Sequence, residues 1–163
     1  MSNNIYEIIT KATICKGFKK SINKYEFKVD CIDKVLGCWI TNHHYQALIS
    51  DGIPIIQGSY DIHLWYCVNC DSELLKETVN YQEVMDLVKK DNRSITINDE
   101  LYPTCKNNPK CILVKLNNNV INIEIEKEMS LKIVGEATIL VESKEEIIDN
   151  NDTDLKINPN FIT

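Results

Sequence analysis

"INIEIEKEMSLKIVGEATILV", residues 121–141, decides the fold class. Its odd positions begin Ile121, Ile123, Ile125 and, after Lys127, continue Met129, Leu131, Ile133, Gly135, Ala137, Ile139 and Val141. Its even positions carry Asn122, Glu124, Glu126, Glu128, Ser130, Lys132 and Glu136. A period of two marks a strand with one buried face, because successive side chains point to opposite sides of a sheet. A straight strand of this length would reach about 70 Å at roughly 3.3 Å per residue. A bend or break is therefore expected near Lys127 to Ser130, or at Gly135, where glycine accommodates a bulge.

The same rhythm recurs outward from this segment. Tyr6, Ile8, Ala12 and Ile14 share one face of a first strand, and Tyr25, Phe27, Val29 and Cys31 one face of another. Leu75, Glu77, Val79 and Tyr81 alternate with Lys76, Thr78 and Asn80. Ile112, Val114 and Leu116 lead into Asn117, Asn118 and Asn119, a hairpin turn, because asparagine tolerates positive φ. The stretch 81–90 fits a short helix or a further strand. Residues 91–110 are polar, contain Pro103 and Pro109, and read mostly as loop around a short strand. Together these segments predict an all-β domain over residues 4–142, an antiparallel sandwich or partly closed barrel of about seven to nine strands.

The alternation stops at Ser143. Residues 143–163 are acidic and are expected to form a disordered tail, since so polar a segment buries too little surface to order itself. The tail ends in the apolar residues Ile157, Pro159 and Phe161. A charged spacer with an apolar tip suits a partner-binding peptide, although a frayed terminus has the same composition.

A chain of 163 residues suits one domain with a substantial core. Its net charge of −6 argues against nucleic acid as a partner, and the cluster Lys16, Lys19, Lys20 and Lys24 is too small to reverse that. The N-terminal segment has no apolar run behind a positive charge, so no secretory signal is expected. No apolar run approaches the roughly 18 residues that span a bilayer, so direct membrane insertion is not expected either. These features favour a cytoplasmic origin. The seven cysteines then begin as thiols, and an odd number leaves at least one unpaired within a monomer.

The stretch most suggestive of chemistry is "YDIHLWYCVNCDS", residues 60–72. Zinc would need a second pair beside Cys67 and Cys70, and Cys105 with Cys111 offers only a loose one. A zinc-stabilised monomeric binding module on these four cysteines is the alternative reading. A redox CxxC belongs at the start of a helix after a strand, whereas the flanking sequence here is β on both sides. Asp61 and His63 lie about 7 Å apart along one strand face, without a nucleophile or glycine-rich loop beside them. A hydrolase built on them is the weaker third reading. His43 and His44 are adjacent, so on a strand they point apart and chelate poorly; exposed turn histidines are expected. Glu124, Glu126 and Glu128 read as a solvated strand face. No Walker, GxGxxG or GxSxG element is present.

A strand reading accounts for residues 59–68 better. Ile62, Leu64, Tyr66 and Val68 share a core face, while Ser59, Asp61, His63, Trp65 and Cys67 share the other. That second face holds a tryptophan, a side chain rarely left in water without a use. Cys67 and Cys70 then mark a strand running out into a turn, with sulfur as small apolar filler. No catalytic residue, cofactor or metal is assigned. Contact residues are expected at Trp65, Trp39, Asp61, His63, Ile157, Pro159 and Phe161, with Tyr66 in the core.

The segments "YEIITKATICKG" (6–17), "VLGCWITNHHYQA" (35–47), "GSYDIHLWY" (58–66), "NNPKCILV" (107–114), "EIEKEMSLKIVGEATILVE" (124–142) and "INPNF" (157–161) together resemble the spore coat protein E (CotE) family. The likeness runs end to end, in order and at similar spacing. The Asn- and Ile-rich usage points to a clostridial member. The resemblance implies a non-enzymatic, morphogenetic scaffold made in the mother-cell cytoplasm and gathered at the forespore surface, in the spore coat. It implies three kinds of partner: copies of itself as a homo-oligomer, the basement-layer ATPase of the coat, and outer spore coat proteins. By position, the N-terminal half would serve self-association, the "GSYDIHLWY" region tethering, and "INPNF" the client proteins. The acidic tail is shorter and less charged than in bacillar relatives. Cys67 and Cys70 fall outside the family pattern, whereas Cys111 falls within it.

Overall fold

The computed structural model describes residues 4–90 and 92–143. They form seven strands and, among the described residues, no helix: β1 Asn4–Lys28, β2 Lys34–Ser50, β3 Ile53–Val68, β4 Asp71–Val84, β5 Asp86–Lys89, β6 Glu100–Asn117 and β7 Val120–Ser143. One sheet has four strands in the order β5-β1-β7-β6, and the other has three in the order β2-β3-β4. The result is the sandwich-like, antiparallel all-β fold expected from the alternation. Residues 10–137 form the larger compact unit. The described residues 4–9 and 138–143 belong to a second, smaller one. The acidic segment from 144, with Ile157, Pro159 and Phe161, lies outside the described residues.

The central strands supply the core. Ile56, Tyr60, Ile62 and Leu64 of β3 are fully buried, as are Ile121, Ile125, Met129 and Ile133 of β7. Full burial of each such aliphatic side chain favours folding by about 1.5–3 kcal/mol. The turns run through positive φ at Asp51 and Gly52 between β2 and β3, Asn69 and Cys70 between β3 and β4, and Asn118 between β6 and β7, and all of these but Cys70 are residue types that tolerate it. Cys67 and Cys70 therefore bracket a tight hairpin, as the strand-into-turn reading expects.

Four details differ from the sequence reading. First, β7 does not break into two strands; it runs unbroken through Lys127 and Gly135, and the irregular register beside Lys127 falls in its partner β6, between Cys105 and Lys110. Lys127 keeps its place in the inward row because its charge is neutralised inside: Nζ donates to Glu83 Oε1 at 2.6 Å, Asn23 Oδ1 at 2.8 Å and Ser21 Oγ at 3.0 Å. It also lies 4.2 Å from the centre of the Tyr81 ring. Second, β1 is one strand rather than two, and the residues that hide its middle are the inward Ser21 and Asn23 that hold this lysine. Third, residues 81–90 take the further-strand alternative rather than the helical one, but with a change of sheet inside them. β4 ends at Val84, Met85 is buried, and β5 continues in the other sheet, so the chain changes sheets at one residue. Fourth, residues 100–110 are strand, not loop. β6 is an edge strand with irregular register, which is where proline is tolerated, and Pro109 is buried there. In the same strand Ile112 and Val114 face outward.

Gly135 has a different use from a bulge. A side chain there would collide with Asp99 Oδ1 and Arg93 Nη2. Arg93 donates to both carboxylate oxygens of Asp99, at 2.5 and 3.1 Å, and its Nε donates to the Glu136 carbonyl at 2.8 Å. The Thr96 backbone N–H donates to Asp99 Oδ2 at 2.7 Å. This cluster fixes the β5–β6 connection to β7. Asp99→Asn is expected to lower unfolding free energy by about 1–3 kcal/mol, the cost of leaving buried donors poorly matched. Urea denaturation checks this; an unchanged midpoint would show that the connection is held by other contacts.

Candidate functional site

The outward face of β2-β3-β4 gathers the residues that the sequence reading picked out in its described part. Two irregularities in β2 produce this. Its register against β3 shifts between Val35 and Gly37 and again between Thr41 and His44. At the second shift Asn42 adopts φ of 53°. Between the shifts, Gly37, Trp39 and Thr41 face outward, opposite Trp65, His63 and Asp61. β4 extends the rows with Leu74, Lys76 and Thr78. The face therefore has three rows: Gly37–Trp65–Leu74, Trp39–His63–Lys76 and Thr41–Asp61–Thr78.

The Trp39 ring lies over Gly37, whose missing side chain leaves it room. Trp39 is 56% exposed and Trp65 37%, with Leu36 and Leu74 exposed nearby. The sequence reading separated Trp65 from Tyr66 in this way, and Tyr66 is buried, donating its hydroxyl to Glu73 Oε2 at 3.1 Å. Leu36, Gly37 and Leu74 were missed. The signal for them is weak, because the bulge at Leu36 breaks the alternation that would have put it on this face.

Asp61 and His63 share the face but do not form a dyad. His63 Nε2 bonds to Thr41 Oγ1 at 2.8 Å. Asp61 accepts from Thr78 Oγ1 at 2.5 Å and Asn42 Nδ2 at 2.7 Å, with Lys76 Nζ at 3.2 Å. Those hydrogen bonds, from Thr78 first and then Asn42, hold its carboxyl down at about 2. A carboxylate so engaged is a poor base and a good clamp: it ties β2 and β4 to β3. Because the folded state holds the proton less tightly than the unfolded chain, the clamp's contribution is complete above the ordinary carboxylate range near 3.8 and is lost as pH falls toward 2. Thermal melts between these limits should show wild type losing stability faster than Asp61→Asn; parallel losses would contradict the clamp.

His43 is not an exposed turn histidine. The second bulge turns it inward, where its Nε2 meets Tyr81 Oη at 2.7 Å and its ring packs on Tyr45 and Tyr60. Burial, with the nearby Lys127 charge, lowers its pKa. Tyr60 shares a hydrogen bond with Tyr25 across the two sheets, at 2.7 Å. Gly58 leaves space for the Tyr81 hydroxyl. The carboxylates of Glu124 and Glu126 lie on the opposite outer face, paired with Lys24 at 3.3 Å and Lys20 at 3.0 Å, as a solvated strand face requires. Among the described residues, no three His, Cys, Asp or Glu side chains converge to hold a metal ion, so the zinc alternative on Cys67, Cys70, Cys105 and Cys111 finds no geometric support.

The described residues thus form a two-sheet, antiparallel all-β protein that displays two tryptophans, on adjacent rows, on the outer face of one sheet. The chain matches the family model of outer spore coat protein E (CotE) over residues 4–160, and it belongs to that family. Its place is thus the spore coat, and its role is the outer-coat morphogenetic one of that family. Comparison with curated proteins and with solved structures gave no match.

Proposed function

We propose that this chain is a self-associating building block of the outer spore coat, and that copies meet through the outer face of β2-β3-β4. The observation that carries this reading is the exposure of Trp39 and Trp65 on adjacent rows, flanked by Leu36 and Leu74. Tryptophans in such positions are the commonest anchors of protein interfaces. Lys76 supplies a charged group beside them. Face-to-face contact is favoured over edge pairing, because the edge strand β4 carries Glu73, Lys76 and Glu77, charges that discourage strand addition.

A lattice needs a second contact, since one self-complementary patch closes a dimer. The beginning of β1 provides an exposed apolar surface at Ile5, Tyr6, Ile8 and Ile9. It lies in the N-terminal half, which the family resemblance connects with self-association. Assembly takes place at the forespore surface in the mother cell. There the Thr41–Asp61–Thr78 end of the face, one row beyond Trp39 and His63, is the part left to meet the basement-layer ATPase. The apolar residues Ile157, Pro159 and Phe161 engage outer coat proteins as clients.

Light scattering coupled to size exclusion, followed by electron microscopy, tests the proposal. Particles whose mass grows with concentration, and that form regular arrays, are expected. A strict monomer at every concentration would overturn it.

A further inference from the structure

β2 is an edge strand of one sheet and β6 an edge strand of the other, and the two lie against each other. Cys38 of β2 and Cys111 of β6 both pack on the core there, both are partly exposed, and both are free thiols. Tyr45 Oη of β2 accepts from the Cys105 N–H of β6 at 3.2 Å, and moving away from that contact along the two strands brings Cys38 beside Cys111. None of the other five cysteines shares this arrangement: Cys15 is buried, Cys31 and Cys70 sit at positive φ in separate turns, Cys67 pairs with Lys34 and Ser72 near the end of β3, and Cys105 hydrogen-bonds to Asn108.

We propose that Cys38 and Cys111 are a modification site, closing to a disulfide that staples β2 to β6 when the protein meets an oxidised low-molecular-weight thiol. Cys111 is the attacking group. Its contact with Cys38 lowers its pKa below that of an ordinary thiol, which enlarges its thiolate fraction. The same contact, together with burial, raises the pKa of Cys38. Cys111 attacks one sulfur of the small disulfide, whose S–S bond breaks; a mixed disulfide forms and one small thiolate leaves. That thiolate takes up the Cys38 proton. Cys38 then attacks the Cys111 sulfur, forming the protein disulfide and releasing the second small thiolate, which takes up the proton originally lost by Cys111. Two protein thiols are oxidised, and one small disulfide is reduced to two thiols.

The family's outer-coat location gives the site an occasion. A protein synthesised among reduced thiols and finally carried on a cell surface passes from a compartment where disulfides are rare into one where they persist. The cross-link closes a long stretch of chain, from β2 to β6, and so restricts the unfolded state strongly.

The test uses the full reduced chain and oxidised glutathione near neutral pH, with quenching by alkylation and peptide mass spectrometry. Two of the seven thiols should disappear, in a Cys38–Cys111 linked peptide formed at a rate independent of protein concentration. The melting temperature should rise by about 10 °C and return on reduction. Cys38→Ser should halt at the glutathione adduct of Cys111, and the pH midpoint for alkylating Cys111 should move upward in it. Retention of all seven thiols, linkage of any other pair, or cross-links formed only between chains would overturn the proposal.

Discussion

Lys127→Ala should lower the unfolding free energy by about 3–5 kcal/mol, the cost of leaving a buried counter-charge unpaired. Lys127 is completely enclosed, and its Nζ is the hub that Ser21, Asn23 and Glu83 share. Without it, the Glu83 carboxylate stays inside with no cation, and its Oε2 already has no hydrogen-bond partner. The Tyr81 ring also loses the cation above it. Glu83→Leu alone should be comparably damaging, because it strands the ammonium. The pair Lys127→Ala with Glu83→Leu should cost clearly less than the two single changes summed, since the desolvation of both charges disappears together. Urea titrations of the four proteins check this. Strict additivity would mean that the two groups do not act as a unit.

The second large effect concerns association rather than folding. Trp39→Ser and Trp65→Ser replace side chains whose exposed area the folded monomer does not use. Anchors of this kind each contribute at least about 2 kcal/mol to an interface, which corresponds to about 30-fold in affinity. The double variant should keep its β-sheet circular dichroism and lose the large particles, leaving at most the closed species that the β1 surface can support. Light scattering at matched concentrations distinguishes the outcomes. Arrays of wild-type size in the double variant would remove the tryptophan face from the mechanism.

How far the sequence reached can be followed residue by residue. β7 was legible because its inward row keeps a period of two from Ile121 to Gly135, even through Lys127, although Ile139 and Val141, which continue the alternation in the sequence, are exposed. The face holding Asp61, His63 and Trp65 was legible for the same reason, since β3 pairs without a register shift against β4. β1 was not, because its middle faces the buried lysine, so the inward side there is polar and imitates a loop. His43 was misplaced because a bulge reverses the alternation beside it, and nothing in a pair of adjacent histidines announces a bulge. β6 was obscured by two prolines that only an edge strand accommodates. The proximity of Cys38 to Cys111 depends on which sheet edges meet, and that is a tertiary fact with no local signature.

Hydroxyl-radical footprinting of dilute and assembled wild-type protein tests the assignment of the assembly surface most directly. Trp39, Trp65 and Leu74 should be oxidised readily in the dilute sample and become several-fold protected on assembly, while the outward residues of β1 and β7 that pair Lys24 with Glu124 remain unchanged. Assembled particles in which both tryptophans react as fast as in the dilute protein would contradict it.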